Sequence, residues 1–131
     1  MNPRSNMSFA PLQVAVLSTL EEAGEDDVAA LLNRSERTGA AKDVQDLSRA
    51  LGELVTLGLV AAAWTRDQST RRWLALPQAE SSELFRCIAA CVRWDDRAKH
   101  WRWTCAKRLR ALLTDEGQLI AKRILSGNTT H

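Results

Sequence analysis

Cys87, Cys91, His100 and Cys105 are the residues of this chain best suited to hold a metal ion or cluster, in the spacing C-x3-C-x8-H-x4-C. Structural zinc sites favour two-residue knuckles, which are missing here. Cys87 and Cys91 also share the i, i+3, i+4, i+7 stripe of Leu84 and Ile88, where free cysteines pack as small hydrophobes. The expectation is therefore packing, with no metal and no cofactor. Asp95-Asp96 and Asp115-Glu116 form a second candidate set, of carboxylates, but acidic pairs at helix starts commonly cap and oppose the helix dipole. The sequence has no glycine-rich phosphate loop, no HExxH and no serine elbow, so no enzyme is expected.

The third group is the stretch RAKHWRWTCAKRLR at 97–110, with six Lys/Arg, one His, two Trp and no acidic residue. Basic side chains interleaved with aromatics suit nucleic acid, and they equally suit an element whose Trp pack inward while its charges face water. As a helix, Trp94, Ala98, Trp101, Cys105, Leu109 and Leu112 share one stripe. As a hairpin, HWRWT and LRALL are strands joined by CAKR. The longer run of helical period favours the helix. Trp101 is expected in the core and Trp103 is free to stack on a base. Lys99, Arg102, Lys107, Arg108 and Arg110 lack acidic neighbours within the stretch, which makes them candidate phosphate contacts.

Residues 1–58 carry five Lys/Arg against nine Asp/Glu, and residues 59–131 carry thirteen against seven. Attraction for phosphate therefore belongs to the C-terminal half. Three cysteines without small-scaffold spacing argue against a disulfide framework and for a reducing cytoplasm. The start lacks a secretory h-region, and the apolar uncharged run 54–65 is too short to span a bilayer.

These functional residues need elements to position them. Residues 11–23 read as a helix, with Pro11 in the first turn, Leu12, Val16 and Leu20 on one face, and Gly24 as its stop. Asp26 or Asp27 caps a short second helix, DVAALLNR, and RSERTGAA connects it onward. A third helix over 42–57 carries Val44, Leu47, Leu51, Leu54 and Val55, and Gly58 ends it. LVAAAWT (59–65) and TRRWLAL (70–76) then read as a hairpin around RDQS, closed by Pro77. Residues 81–93 read as a helix, as do 113–125, with Thr114 as N-cap and Leu119, Ile120 and Ile124 buried.

The stretch LSRALGELVTLGLVAAAW resembles the recognition-helix and first-wing-strand segment of winged-helix bacterial transcription regulators, MarR-like or PadR-like. Leu51, Leu54, Gly58, Leu59 and Val60 occupy the pattern positions. The phrase LTDEG looks like the L-T-x-x-G that follows the second wing strand in many such regulators. The resemblance implies a recognition helix contacting duplex DNA through Lys42, Gln45, Ser48 and Arg49, and a basic wing doing so through Arg66, Arg71 and Arg72. Two features depart from the pattern. The connection NRSERTGAA is longer than a tight turn. Asp43 and Asp46 also stand at the start of the third helix, where they would face phosphates.

The expected fold is mainly α with a small β-hairpin, a winged helix-turn-helix followed by C-terminal helices. Its parts would be an N-terminal arm (1–10), a winged-helix domain (11–76), a helical element for dimerisation or a second wing (77–125), and a flexible tail (126–131). The expected protein is a cytoplasmic, homodimeric transcriptional regulator that binds double-stranded DNA and no membrane. The alternatives are an adaptor that binds a protein partner, or a single-strand binder using the Trp-rich stretch.

Overall fold

Glycine and aspartate punctuate the first half of the chain. α1 (Pro11–Ala23) stops at Gly24, whose φ of 84° is the left-handed region that side chains disfavour, and whose N–H returns to the Leu20 carbonyl at 2.7 Å. Three extended residues, β1 (Glu25–Asp27), lead into α2 (Val28–Arg34), capped by Asp27 through the Ala29 N–H at 2.8 Å. α3 (Ala41–Thr56) carries the predicted stripe Val44, Leu47, Leu51, Leu54 and Val55, all buried, and gives way at Gly58 to β2 (Val60–Ala63). The computed structural model describes residues 8–34 and 38–127. Parts of the N-terminal arm, the long connection and the tail lie outside them.

The second half departs from expectation. Residues 70–76 run back beside β2, but with broken pairing. Leu76 N–H reaches the Ala62 carbonyl, whereas Leu74 N–H reaches that of Thr65, and Arg66 bridges Trp73. The register slips by one residue between these bonds, so no regular second strand forms. Buried Ser81 completes the edge, its hydroxyl accepting from Ala62 N–H at 2.9 Å and donating to the Leu76 carbonyl at 3.1 Å.

Pro77 begins α4 (Gln78–Arg86) rather than only ending a strand, because its fixed φ suits the entry to a helix. The helix predicted over 81–93 stops short, passing through a 3-10 turn (Ile88–Cys91) into β3 (Val92–Asp95). The favoured helix across 97–112 does not form. β4 (His100–Trp103) pairs antiparallel with β3, and β5 (Arg110–Leu113) leaves for another sheet. The two strands of the hairpin alternative therefore exist but do not pair with each other. Alternation at His100, Trp101, Arg102 and Trp103 wins over the helical period because it lets three Trp face the interior together with Val92.

β5 is the centre of a three-stranded antiparallel sheet in the order β1-β5-β2, with Ala111 opposite both Asp26 and Ala62. α5 (Asp115–Gly127) follows, capped by Thr114, whose hydroxyl accepts the Gly117 N–H at 3.0 Å. Ile120 and Ala121 are buried, but Leu119, expected inside, is 68% exposed because it points off the face packed on α1. Among the described residues, five α-helices and two small antiparallel sheets make this an α/β structure, with more strand than a mainly α reading allowed.

One hydrophobic cluster joins Leu17 and Leu20 of α1, Leu32, Leu47, Leu51 and Leu54 of the next helices, Phe85 of α4, Ile88 just beyond it, and Ala111 of β5. Each fully buried leucine contributes about 1.5–3 kcal/mol over its exposed state. Since residues 11–76 take their central strand from 110–113, the boundary drawn at 76 does not divide two cores. No helix among the described residues is long and apolar enough to cross a membrane.

Candidate nucleic-acid interface

The segment between β2 and β5, residues 64–109, holds a broken ribbon, α4 and the β3–β4 hairpin. It carries ten Lys/Arg against five Asp/Glu, a net of +5, while the rest of the chain carries eight against eleven, a net of −3. The positive charge is therefore concentrated in one inserted segment.

Several predicted contacts are already engaged. Lys42 pairs with Asp46 at 3.5 Å, one helical turn along α3. The Ser48 hydroxyl donates to the Phe85 carbonyl at 2.7 Å, tying α3 to α4. Gln45 and Arg49 are exposed and line a groove of about 800 Å³ between α3 and α4, together with Phe9, Ser82 and Arg86. Asp43 does not face solvent as expected. It is buried and accepts from Thr38 N–H and Oγ1, from Gly39 N–H at 2.9 Å and from Trp101 Nε1 at 2.9 Å. Burial raises its pKa, but these hydrogen bonds outweigh it and hold the carboxyl below the usual value.

The hairpin's inner face rests on the same corner. Trp94 meets Trp101 edge to face at 5.5 Å, and the Trp94 ring lies so close to Gly39 that a Cβ there would sit 2.7 Å from it. The Asn33 amide holds the outer edge of β4, accepting Trp101 N–H at 2.7 Å and donating to its carbonyl at 2.9 Å. The α2–α3 corner is thus covered by the hairpin. Trp103 is half-buried, its indole N–H donating to the Lys107 carbonyl at 2.9 Å.

The basic stretch is not free of acidic partners. Lys99 pairs with Asp96 at 2.9 Å, Arg102 with Asp95 at 2.7 Å, Arg108 with Asp27 at 3.0 Å, and Arg110 with Glu25 at 2.8 Å. The β3–β4 turn brings the first two together, and the pairing of β5 with β1 brings the others across more than 80 residues. The Ala98 N–H, with Arg102 assisting, lowers the Asp95 pKa, and Lys99 lowers that of Asp96. Lys107 has no acidic partner among the described residues.

At the ribbon tip, Arg66 and Arg110 place their guanidinium groups 4.6 and 4.5 Å from the Trp73 ring centroid. The Asp67 carboxylate gathers Ser69 and Thr70, the Ser69 hydroxyl foremost in lowering its pKa, and closes the turn from which exposed Arg71 and Arg72 project. Arg71 has a φ of 59°.

Two basic residues were not among the predicted contacts. Arg93 and Arg97 are exposed, and neither has an acidic partner among the described residues. Their signal was the Trp/basic alternation on both sides of the β3–β4 turn.

The cysteines depart from the packing expectation. Cys91 and Cys105 form a disulfide, with Cα atoms 5.2 Å apart, at the base of the β3–β4 hairpin. Cys87 is exposed rather than buried, since α4 ends one residue before it. Among the described residues, no three His, Cys, Asp or Glu side chains gather as a metal site. Comparison with known proteins finds no family model, no curated protein and no solved structure that matches this chain.

Proposed function

We propose that the protein binds duplex DNA as a winged-helix transcriptional regulator, with its phosphate contacts drawn from an enlarged wing. The observation that carries this reading is the net charge of +5 on the segment between β2 and β5, against −3 for the remainder. The L-T-x-x-G phrase, Leu113 to Gly117, begins at the last residue of β5, and β5 pairs with β2. On the resemblance, β2 and β5 then stand for the two wing strands, and everything between them is wing. Arg66, which stacks on Trp73, and Arg71, Arg72, Arg93, Arg97 and Lys107 are its cations without acidic partners among the described residues, ready to replace counterions on a phosphate backbone. Such a regulator would work in the cytoplasm as a homodimer, since one small module buries little DNA surface.

Fluorescence anisotropy with mixed-sequence and genomic duplexes tests the reading. Affinity should fall steeply between about 50 and 200 mM salt. No salt-dependent binding at low ionic strength would overturn it.

A second reading, a protein-interaction adaptor, draws on the covering of α3 by α4 and by the hairpin. It predicts no binding to duplex in that titration and a stable partner protein.

A further inference from the structure

In a winged helix that reads DNA with its third helix, the start of that helix must be open to the groove. Here Asp43 is already engaged by Thr38, Gly39 and Trp101, and Ser48 by the Phe85 carbonyl. Val92, Ala89 and Trp101 share a cavity of about 300 Å³ with Ala41, Val44 and Gln45, so the base of the hairpin stands beside the first turns of α3, whose Ala41, Lys42, Gln45 and Arg49 stay exposed. The β3–β4 ribbon meets the first turn of α3 at Asp43, through Trp101, and presents its own exposed face beside it.

That ribbon has two unlike faces. Val92, Trp94, Trp101 and Trp103 face inward and pack on the core. The other face carries Arg93 directly opposite Arg102, then Asp95 opposite His100, with exposed Arg97 and Lys99 in the turn. Like charges opposite each other destabilise an antiparallel pair. Asp95 relieves Arg102 and Asp96 relieves Lys99, which leaves Arg93 and Arg97 as the uncompensated charges. The ribbon is held rigid by the Asn33 clamp on Trp101, by the Trp101–Asp43 bond and by the Cys91–Cys105 bridge at its base.

We infer that the outward face of β3–β4, through Arg93 and Arg97 with Arg102 beside them, is the surface that docks on duplex DNA, in place of α3. The inference rests on the DNA-binding reading above. The major groove of B-form DNA, about 12 Å wide, admits a two-stranded ribbon, and uncompensated arginines match its phosphate walls. The deep, narrow major groove of A-form RNA does not admit such a ribbon, so duplex DNA is the partner.

The test is a salt titration of anisotropy on one mixed-sequence DNA duplex and its RNA counterpart. It compares wild type, Arg93→Gln/Arg97→Gln, Gln45→Ala/Arg49→Ala on α3, and Lys122→Gln/Arg123→Gln on α5. All substituted side chains are exposed, and circular dichroism checks that each variant folds. The ribbon variant should flatten the log K against log salt slope by about 2 and weaken binding at least roughly tenfold. The α3 and α5 variants should leave the slope within about 0.5 of wild type, and duplex RNA should bind more weakly than DNA. Equal weakening in the α5 pair would show a bulk-charge effect and overturn the inference. Weakening in the α3 pair with none in the ribbon pair, or RNA bound as tightly as DNA, would also overturn it while leaving nucleic-acid binding standing. Failure of wild type to bind either duplex would overturn the underlying reading and the inference with it.

Discussion

The Trp101 indole N–H donates to the Asp43 carboxylate at 2.9 Å, joining the middle of the hairpin to the first turn of α3 across 58 residues. The same carboxylate accepts from Thr38 and Gly39, so one buried charge orders the end of the α2–α3 connection and the position of the hairpin. Asp43→Ala leaves the buried Trp101 N–H and the Thr38 and Gly39 donors without this partner and should destabilise the fold by about 2–3 kcal/mol, read from urea unfolding. Trp101→Phe, which removes the donor but keeps the ring, should cost less, about 1 kcal/mol.

The charge state of Asp43 makes that contribution pH-dependent. Its folded pKa lies below the ordinary value of 3.8, so the stabilisation is complete above the unfolded pKa and is lost as pH falls through the folded one. Urea midpoints measured from neutral pH downward should decline more steeply for wild type than for Asp43→Asn. Parallel curves would show that the carboxylate's charge is not what matters.

Two glycines should respond in opposite directions. A Cβ at Gly117 would lie 1.9 Å from the Leu59 carbonyl oxygen, a backbone atom that cannot turn aside. Gly117→Ala should cost about 3 kcal/mol or more. Gly52, inside α3, has nothing within 4 Å of such a Cβ, and Gly52→Ala should stabilise by about 0.5–1 kcal/mol. Thermal melts of the two variants on either side of wild type would bear this out.

The Cys91–Cys105 bridge closes a loop of 14 residues in sequence separation, for which chain entropy gives about 3 kcal/mol. Cys105→Ser should lose roughly that amount without reductant and almost nothing in its presence. A native thiol assay should count one reactive cysteine, Cys87, in the oxidised protein. Three reactive thiols in freshly isolated protein would mean that the bridge is open in the cell.

Trp73 is held between Arg66 and Arg110. Trp73→Ala should lower stability by about 1 kcal/mol beyond the effect of the smaller buried area, and Trp73→Phe should recover most of it. For binding, Arg71→Gln/Arg72→Gln at the tip should flatten the DNA salt slope by up to about 2, one for each phosphate no longer neutralised.

Residue pattern alone fixed several local elements. The 3.6-residue stripe of α3, the stops at Gly24 and Gly58, and the Asp27 and Thr114 caps are set by groups within a few residues of each other, and they stand where the spacing put them. The same pattern misled wherever a distant partner decided. Trp101 and Leu109 fit a helical stripe as well as an alternating one, and the choice fell to the sheet because Asn33, Asp43 and Gly39 receive the hairpin face. Arg108 and Arg110 had no acidic neighbour until β5 took its place beside β1, and Asp43 had the look of a surface charge until Trp101 covered it. Charge and periodicity are properties of the chain, and they already put the excess of positive charge in the C-terminal half. Which cations stay uncompensated is a property of strand pairing, because only the folded register brings Asp27, Glu25 and Asp95 within reach of some arginines and leaves Arg93 and Arg97 to the solvent.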